Sequence, residues 1–394
     1  MISVDDALAR CLALVAPLPV EPVPLAQGCG RYMPRPTQAT RDQPPFAASA
    51  MDGYAVQGDP VPDDRFTVVG EAGAGHAWHG TLGPAQTARI FTGAPLPKGA
   101  TRVIIQEDVT RDGDVITVNA GADSGRHIRP AGQDFRAGDA LSPRVLRPND
   151  LALLASMNVA LVPVSRRPVV AIIATGDELV MPGETPAPDQ IIASNSFALK
   201  ALAEEAGAEV RLLPIARDTV DSLRYCLALA EGADLIVTTG GASVGDHDLV
   251  AQVAQSLGMQ RAFWKIAMRP GKPLMAGRMG AAAMLGLPGN PVSSVVCAHL
   301  FLLPMIRALL GLPSDAIAPR PRAAVLAQDV GATGSRAHYM RARLTETDGA
   351  PQITPFDRQD RSLLSVLASA DALLIRPRDD GPRHAGAAVT YLPI

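Results

Sequence analysis

Aromatic side chains are scarce, at 4% of the chain. Lysine is scarcer: of 394 residues only Lys98, Lys200, Lys265 and Lys272 are lysine, so arginine carries most of the positive charge. With 36 basic against 39 acidic residues the formal net charge is −3, which gives no general attraction to nucleic acid or to an anionic membrane. The four cysteines, Cys11, Cys29, Cys226 and Cys297, lie far apart, with no C-x-x-C spacing, in apolar or helical surroundings. They are expected as buried free thiols rather than as disulfides or zinc ligands. Asp5 and Asp6 stand where a secretory signal needs basic residues. No uninterrupted apolar run approaches the ~18 residues of a membrane span. The best stretch, residues 292–312, is broken by Ser293, His299, Pro304 and Arg307. A cytoplasmic protein without membrane or nucleic-acid partners is the expectation.

What is present is 47% hydrophobic residues, ample for burial, and 35 each of glycine and proline. A chain of this length predicts roughly two to four domains. The most informative stretch is residues 234–273. An apolar run, LIVTT at 235–239, breaks at GGASVG (240–245), and a helical pattern follows through Leu249, Val250, Val253 and Leu257. A buried strand, a glycine turn and a helix start form an anion cradle, because free backbone N–H groups and the positive helix end face the loop. Such turns are common in α/β proteins, and this spacing matches neither nucleotide fingerprint. Here Asp246 and Asp248 stand beside Thr239 and Ser243, which suits metal and phosphate together. Lys265, Arg269 and Lys272 follow about twenty residues later.

From residue 168 strands alternate with helices. VVAIIAT (169–175) leads to Gly176-Asp177-Glu178, Ser194 precedes a helix ending at Gly207, and strand 209–215 leads to Asp218. This pattern predicts a three-layer α/β domain with a mainly parallel sheet. Ligands sit beyond the carboxyl ends of such strands, where the loops at 177–178, 218 and 240–248 converge. A second glycine turn, LPGNP at 287–291, enters a helix with Pro291 in its first turn and Asn290 as cap. Short runs at 66–69, 88–91, 103–106 and 115–118, separated by turns, predict a β domain, and Asp112-Gly113-Asp114 is a hairpin turn. Asn149 caps a helix. Locally, Asp52-Gly53 reads as a tight turn, Thr92 as part of a loop and Asp134 as an acid in a glycine-rich approach. His76 and His79 lack a third ligand nearby. Residues 323–394 predict a small β barrel or sandwich in which Arg336, Arg341 and Arg343 either serve a ligand or form a solvated face, the latter being preferred.

Six stretches occur in order: SAMDGYAV (49–56), FTGAP (91–95), TGDEL (175–179), TGGASVG (239–245), WKIAMRPGKP (264–273) and LPGNPVS (287–293). Together they resemble the molybdopterin molybdenumtransferases, the family of MoeA and the gephyrin E domain, over essentially the whole chain. The resemblance implies an α/β multidomain fold. Its parts are a discontinuous, elongated N-terminal domain (1–50 and 132–167), an inserted β domain (51–131), a molybdopterin-binding α/β domain (168–315) and a C-terminal β-barrel-like domain (320–394). It implies a homodimer with the active site between subunits, and molybdopterin adenylyltransferase as pathway partner. The implied reaction inserts molybdate into adenylylated molybdopterin with release of AMP and needs Mg2+. Carried over by position, the catalytic residues are Asp52, Asp134, Glu178, Asp218, Asp248 and Lys265, with Glu178, Asp218 and Asp248 toward the metal. Substrate binding falls to Thr92, Thr175, Asp177, Ser194, Gly240, Gly241, Ser243, Gly245, Arg269, Lys272, Pro288 and Pro291. Arg269 departs from the pattern, which often has a second lysine there. The alternatives are a catalytically weak molybdopterin-binding or scaffold protein, and molybdopterin adenylyltransferase. The long N-terminal region and the C-terminal domain argue against the latter.

Overall fold

A computed structural model describes residues 1–240, 249–347 and 349–394. They form two compact units, residues 22–164 and residues 1–21 with 165–394.

In the first unit the two ends of the segment share one small core around Met33, Leu146, Leu154 and Val162. Short antiparallel pairs strap them together: Tyr32–Met33 with Arg144–Val145, and Thr37–Gln38 with Ala140–Leu141. The intervening chain forms a six-stranded sheet in the order Arg102–Ile105, Gly53–Val56, Gln86–Ile90, Arg65–Ala72, Val115–Val118, Val109–Asp112. The hairpin expected at Asp112-Gly113-Asp114 joins the last two strands, with Gly113 at φ 57°. The helix Pro148–Ser156 starts two residues earlier than a cap at Asn149 requires. Arg147 is its N-cap, and the Asp150 carboxylate reaches back to accept the Arg147 N–H at 2.8 Å.

The second unit begins with the helix Val4–Leu12, which the Ser3 hydroxyl caps by accepting the Asp6 N–H at 3.0 Å. Its buried face, Ala7 and Cys11, lies in the same core as Val170, Leu235 and Leu285. The central sheet runs Glu209–Leu212, Val169–Ala174, Leu235–Thr239, Ala282–Leu287, Met275–Met279, Gln260–Trp264. The first four strands are mutually parallel, and Met275–Met279 runs antiparallel to both of its neighbours, so the sheet is mixed. Strand side chains alternate faces. Accordingly Val170 and Ile172 enter one core with the helices Asn195–Glu205 and Pro291–Cys297, while Ala171 and Ile173 enter another with Val220–Leu229 and Leu249–Ser256. Burial on both faces is why these strands read as unbroken apolar runs. Asp234 ties two strand starts: one carboxylate oxygen accepts from Arg166 at 2.6 Å, the other from the Val169 N–H at 2.7 Å.

One helix among the described residues is long and apolar enough to cross a membrane, Pro291–Leu309, and 78% of its most apolar window is buried inside the protein. It is a core helix. A π-helical turn, Ala298–Leu302, precedes Pro304. The widening fits a proline that has no N–H to donate and whose ring crowds the carbonyl four residues back.

The C-terminal strands Arg322–Leu326, Ala337–Thr347, Ala350–Pro355, Ala372–Arg376 and Ala388–Pro393 close into a five-stranded barrel. The two-residue strand Met268–Arg269 adds to it in parallel, against Ala337 and His338. Two expectations fail. Arg341 is not on a solvated face but 1% exposed, its guanidinium donating to the carbonyls of Leu363 and Arg358. All four cysteines are free, but Cys29 is exposed.

Leu285 is fully buried in the central sheet. Leu285→Ala should destabilise the protein by about 2–5 kcal/mol, since the packed layers cannot fully collapse onto the cavity. Urea unfolding checks this, and a loss below ~1 kcal/mol would remove Leu285 from the core.

Candidate active site

Three loops leave the carboxyl ends of parallel strands on one side of a cavity of about 1050 Å³. Thr175, Gly176 and Glu178 follow Val169–Ala174; Gly240 follows Leu235–Thr239; Pro288, Gly289, Asn290 and Pro291 follow Ala282–Leu287. Asp218 and Ser194 join them. Arg269, Lys272 and residues of the barrel, Arg336, His338, Gln359, Asp360, Arg361 and Ser362, also line it.

Close backbone approach builds the strand-end wall. Gly240 has φ 94°, and a Cβ there would stand 2.5 Å from the Thr175 carbonyl oxygen. At Gly176 (φ 147°) a Cβ would stand 2.3 Å from a Glu178 carboxylate oxygen, so the carboxylate lies over the glycine α-carbon. Both positions require glycine. The Arg217 guanidinium donates through Nη1 to the carbonyls of Gly176 (3.3 Å), Asp177 (3.0 Å) and Leu179 (2.9 Å), bracketing Glu178. Asp177 is absent from the lining. Its carboxylate accepts the Asp218 N–H at 3.0 Å, so it is a strut joining the two acid-bearing loops. Asn195 donates to the Gly289 carbonyl at 2.8 Å, and its Oδ1 is buried without a hydrogen-bond partner among the described residues. A donor from a ligand would satisfy it.

Four cations, Arg269, Lys272, Arg336 and Arg361, form the cationic part of the lining, its cationic wall. Buried Arg341 holds the Gln359–Ser362 loop in place through the Arg358 carbonyl, and its own N–H is accepted by Gln359 Oε1 at 3.1 Å. Asp360 accepts from the Ser362 N–H (2.8 Å) and hydroxyl (2.6 Å), and these bonds hold its carboxyl below the usual range.

Of the residues singled out in the sequence, the cavity brings together Thr175, Glu178, Ser194, Asp218, Gly240, Arg269, Lys272, Pro288 and Pro291. Gly241, Ser243, Gly245 and Asp248 lie outside the described residues. Lys265 is not in the lining: it sits at φ 70° with its ammonium 3.8 Å from the centre of the Trp264 ring. Asp52, Thr92 and Asp134 belong to the unit of residues 22–164. There the Thr92 N–H and hydroxyl both donate to Asp52 Oδ1 at 2.7 Å, which lowers the Asp52 pKa. Asp134 is exposed, its N–H donating to the Gln43 carbonyl at 2.9 Å. Sequence reasoning missed Asn195, His338, Gln359, Asp360, Arg361 and Ser362 and assigned Arg336 to solvent. The one available signal was the density of arginine and polar residues in the barrel.

Three family models match successive parts of the chain: "MoeA N-terminal region (domain I and II)" over residues 2–158, "Probable molybdopterin binding domain" over 171–308 and "MoeA C-terminal region (domain IV)" over 323–394. The chain is similar to molybdopterin molybdenumtransferase 2 of Mycobacterium tuberculosis, at 35% identity over 371 residues and 91% of each chain. It is also similar to the molybdopterin molybdenumtransferase of Haemophilus influenzae, at 32% identity over 100% of this chain and 98% of that one. A solved molybdopterin biosynthesis MoeA protein from Pyrococcus horikosii superposes with a TM-score of 0.85 at 29% identity, covering 100% of this chain and 99% of that chain. The chain belongs to the molybdopterin molybdenumtransferase family.

Proposed function

We infer that this chain performs the molybdenum-insertion step of molybdenum cofactor biosynthesis, taking adenylylated molybdopterin and molybdate as substrates and releasing AMP. The observation that carries this reading is a single cavity whose lining combines two strand-end carboxylates, Glu178 and Asp218, with the cations Arg269, Lys272, Arg336 and Arg361. Arginine and lysine bind phosphate and oxyanion charge, and the planar guanidinium of Arg269 offers paired donors. The buried Oδ1 of Asn195 orients a ligand donor.

A divalent cation fits the strand-end wall. Glu178 and Asp218 offer hard oxygen donors, and among the described residues no group of three or more His, Cys, Asp or Glu is placed to hold a metal. Two carboxylates suit Mg2+, which binds through one or two carboxylates together with substrate phosphates. Glu178 and Asp218 would hold it, with Asp248 as a third candidate, and it would supply charge neutralisation at a pyrophosphate; Arg217 and Asp177 keep the two loops in register. Asp52 with Thr92, Asp134 and Lys265 complete the proposed set. A cytoplasmic homodimer that receives its substrate from molybdopterin adenylyltransferase belongs to the same proposal.

AMP release from adenylylated molybdopterin should require both molybdate and Mg2+. Tight binding without release would favour a binding protein instead. Asp218→Asn should weaken the apparent Mg2+ affinity by about 10- to 100-fold while changing stability by no more than about 0.5 kcal/mol, because the side chain is an exposed loop acid. Unchanged Mg2+ dependence would remove Asp218 from the cation site. Gly176→Ala should do similar damage by pushing the Glu178 carboxylate aside, readable as weaker Mn2+ binding by electron paramagnetic resonance. Sedimentation should give a particle of twice 41.1 kDa, and a monomer that turns over would contradict the shared site.

A further inference from the structure

The cationic wall contains one uncharged ring. Met268–Arg269 pairs in parallel with the barrel strand Ala337–Thr347, which sets Arg269 opposite His338. On the other side the same strand pairs with Ala372–Arg376, which sets His338 opposite Arg376. Directly opposed residues on neighbouring strands share a face, so His338 stands in a row between two guanidinium groups. Arg336, just before the strand begins, also lines the cavity. Buried Arg341 is a further cation close enough to act on the ring.

The carboxylates of these elements are engaged elsewhere. Asp380 accepts from Arg376 at 2.6 Å and from Arg383 at 2.7 Å, and Asp360 accepts from Ser362. Burial first, then Arg269, Arg376, Arg341 and Arg336, push the His338 pKa down to about 4. The ring is therefore neutral near pH 7, although it lines the cavity. A dianion placed against Arg269 and Arg336 reverses the sign of the local potential, and an adjacent negative charge stabilises the protonated ring.

We propose that His338 is the proton-coupled member of the anion wall, taking up one proton from solvent as an oxyanion docks and holding it as an imidazolium. This rests on the reading that the cavity binds an oxyanion substrate. The sign follows from linkage: the complex binds more protons than the free protein, so affinity rises as pH falls. The window lies between the liganded pKa of His338 and its free value of about 4.

The test is calorimetric titration of the full-length protein with molybdate alone, at several pH values and in two buffers of unequal ionisation heat. The wild type should take up as much as one proton, and its affinity should fall by up to about tenfold per unit rise in pH between the free value of about 4 and the liganded pKa, the ceiling for one proton, and level off above it. H338Q, which keeps an uncharged donor, should bind with no such uptake and a flat pH profile. In wild-type protein carrying 13C-histidine, the resonance absent from H338Q should move to the imidazolium position on adding molybdate. Binding with no proton uptake, or equal uptake in H338Q, overturns the role of His338 and leaves the anion reading standing. No binding of molybdate at any pH overturns both.

Discussion

Three backbones meet at Gly240, and they do so because its α-carbon carries no side chain. A Cβ there would lie 2.5 Å from the Thr175 carbonyl oxygen, and one on Gly289 would lie 3.3 Å from the Gly240 α-carbon. A side chain at Gly240 would force apart the ends of three adjacent parallel strands, and with them the loops that carry Glu178 and Pro288–Pro291. A glycine there costs chain entropy on folding. The return is a strand-end wall flat enough for backbone and carboxylates alike to reach a ligand. Glu178 depends on the same economy, since its carboxylate occupies the space a Cβ on Gly176 would fill.

The cationic wall is built by a different device. Its arginines divide into those that face the cavity and those that hold the others up. Arg341 and Arg376 are each 1% exposed and spend their donors on carbonyls or on Asp380. Buried guanidinium groups are costly unless fully partnered, and these are partnered by the loops that present Gln359–Ser362 or neighbour the His338 strand. Arg269 and Arg336 keep their charge for the cavity. With lysine so scarce, planar donors dominate, which favours fixed rather than swinging contacts to oxygen.

Much of this was legible. The apolar runs 169–174 and 235–239 announce strands buried on both faces, and the sheet rule sends their following loops to one place, so Glu178, Asp218 and Gly240 were found by position alone. The five barrel strands were visible as β-rich runs. What periodicity does not encode is the docking of Met268–Arg269 onto a strand about seventy residues later. That long-range pairing makes Arg336 and His338 cavity residues. The same blindness placed Arg341 in solvent, because an arginine satisfied by the carbonyls of Arg358 and Leu363 looks in sequence like any surface arginine. Asp177 shows the converse: its neighbour Glu178 reaches the cavity, while its own carboxylate is claimed by the Asp218 N–H. The cap expected at Asn149 falls two residues early, at Arg147, where the Asp150 carboxylate reaching back to the Arg147 N–H does the work a capping side chain would do.

Arg269 gathers these constraints into one argument. The resemblance to the family implies that a lysine often stands at this position, a point charge on a flexible stem. Here the position lies in a strand whose register with His338 is set by backbone pairing. An ammonium on four methylenes would search for an anion from that anchor and lose rotamer freedom on finding it. A guanidinium presents its donors in a fixed plane, and the strand fixes the root of that plane. The substitution thus trades reach for orientation. It also places an undissociable cation beside His338, so the neutral state of the ring and the choice of arginine at 269 are two consequences of the same strand pairing.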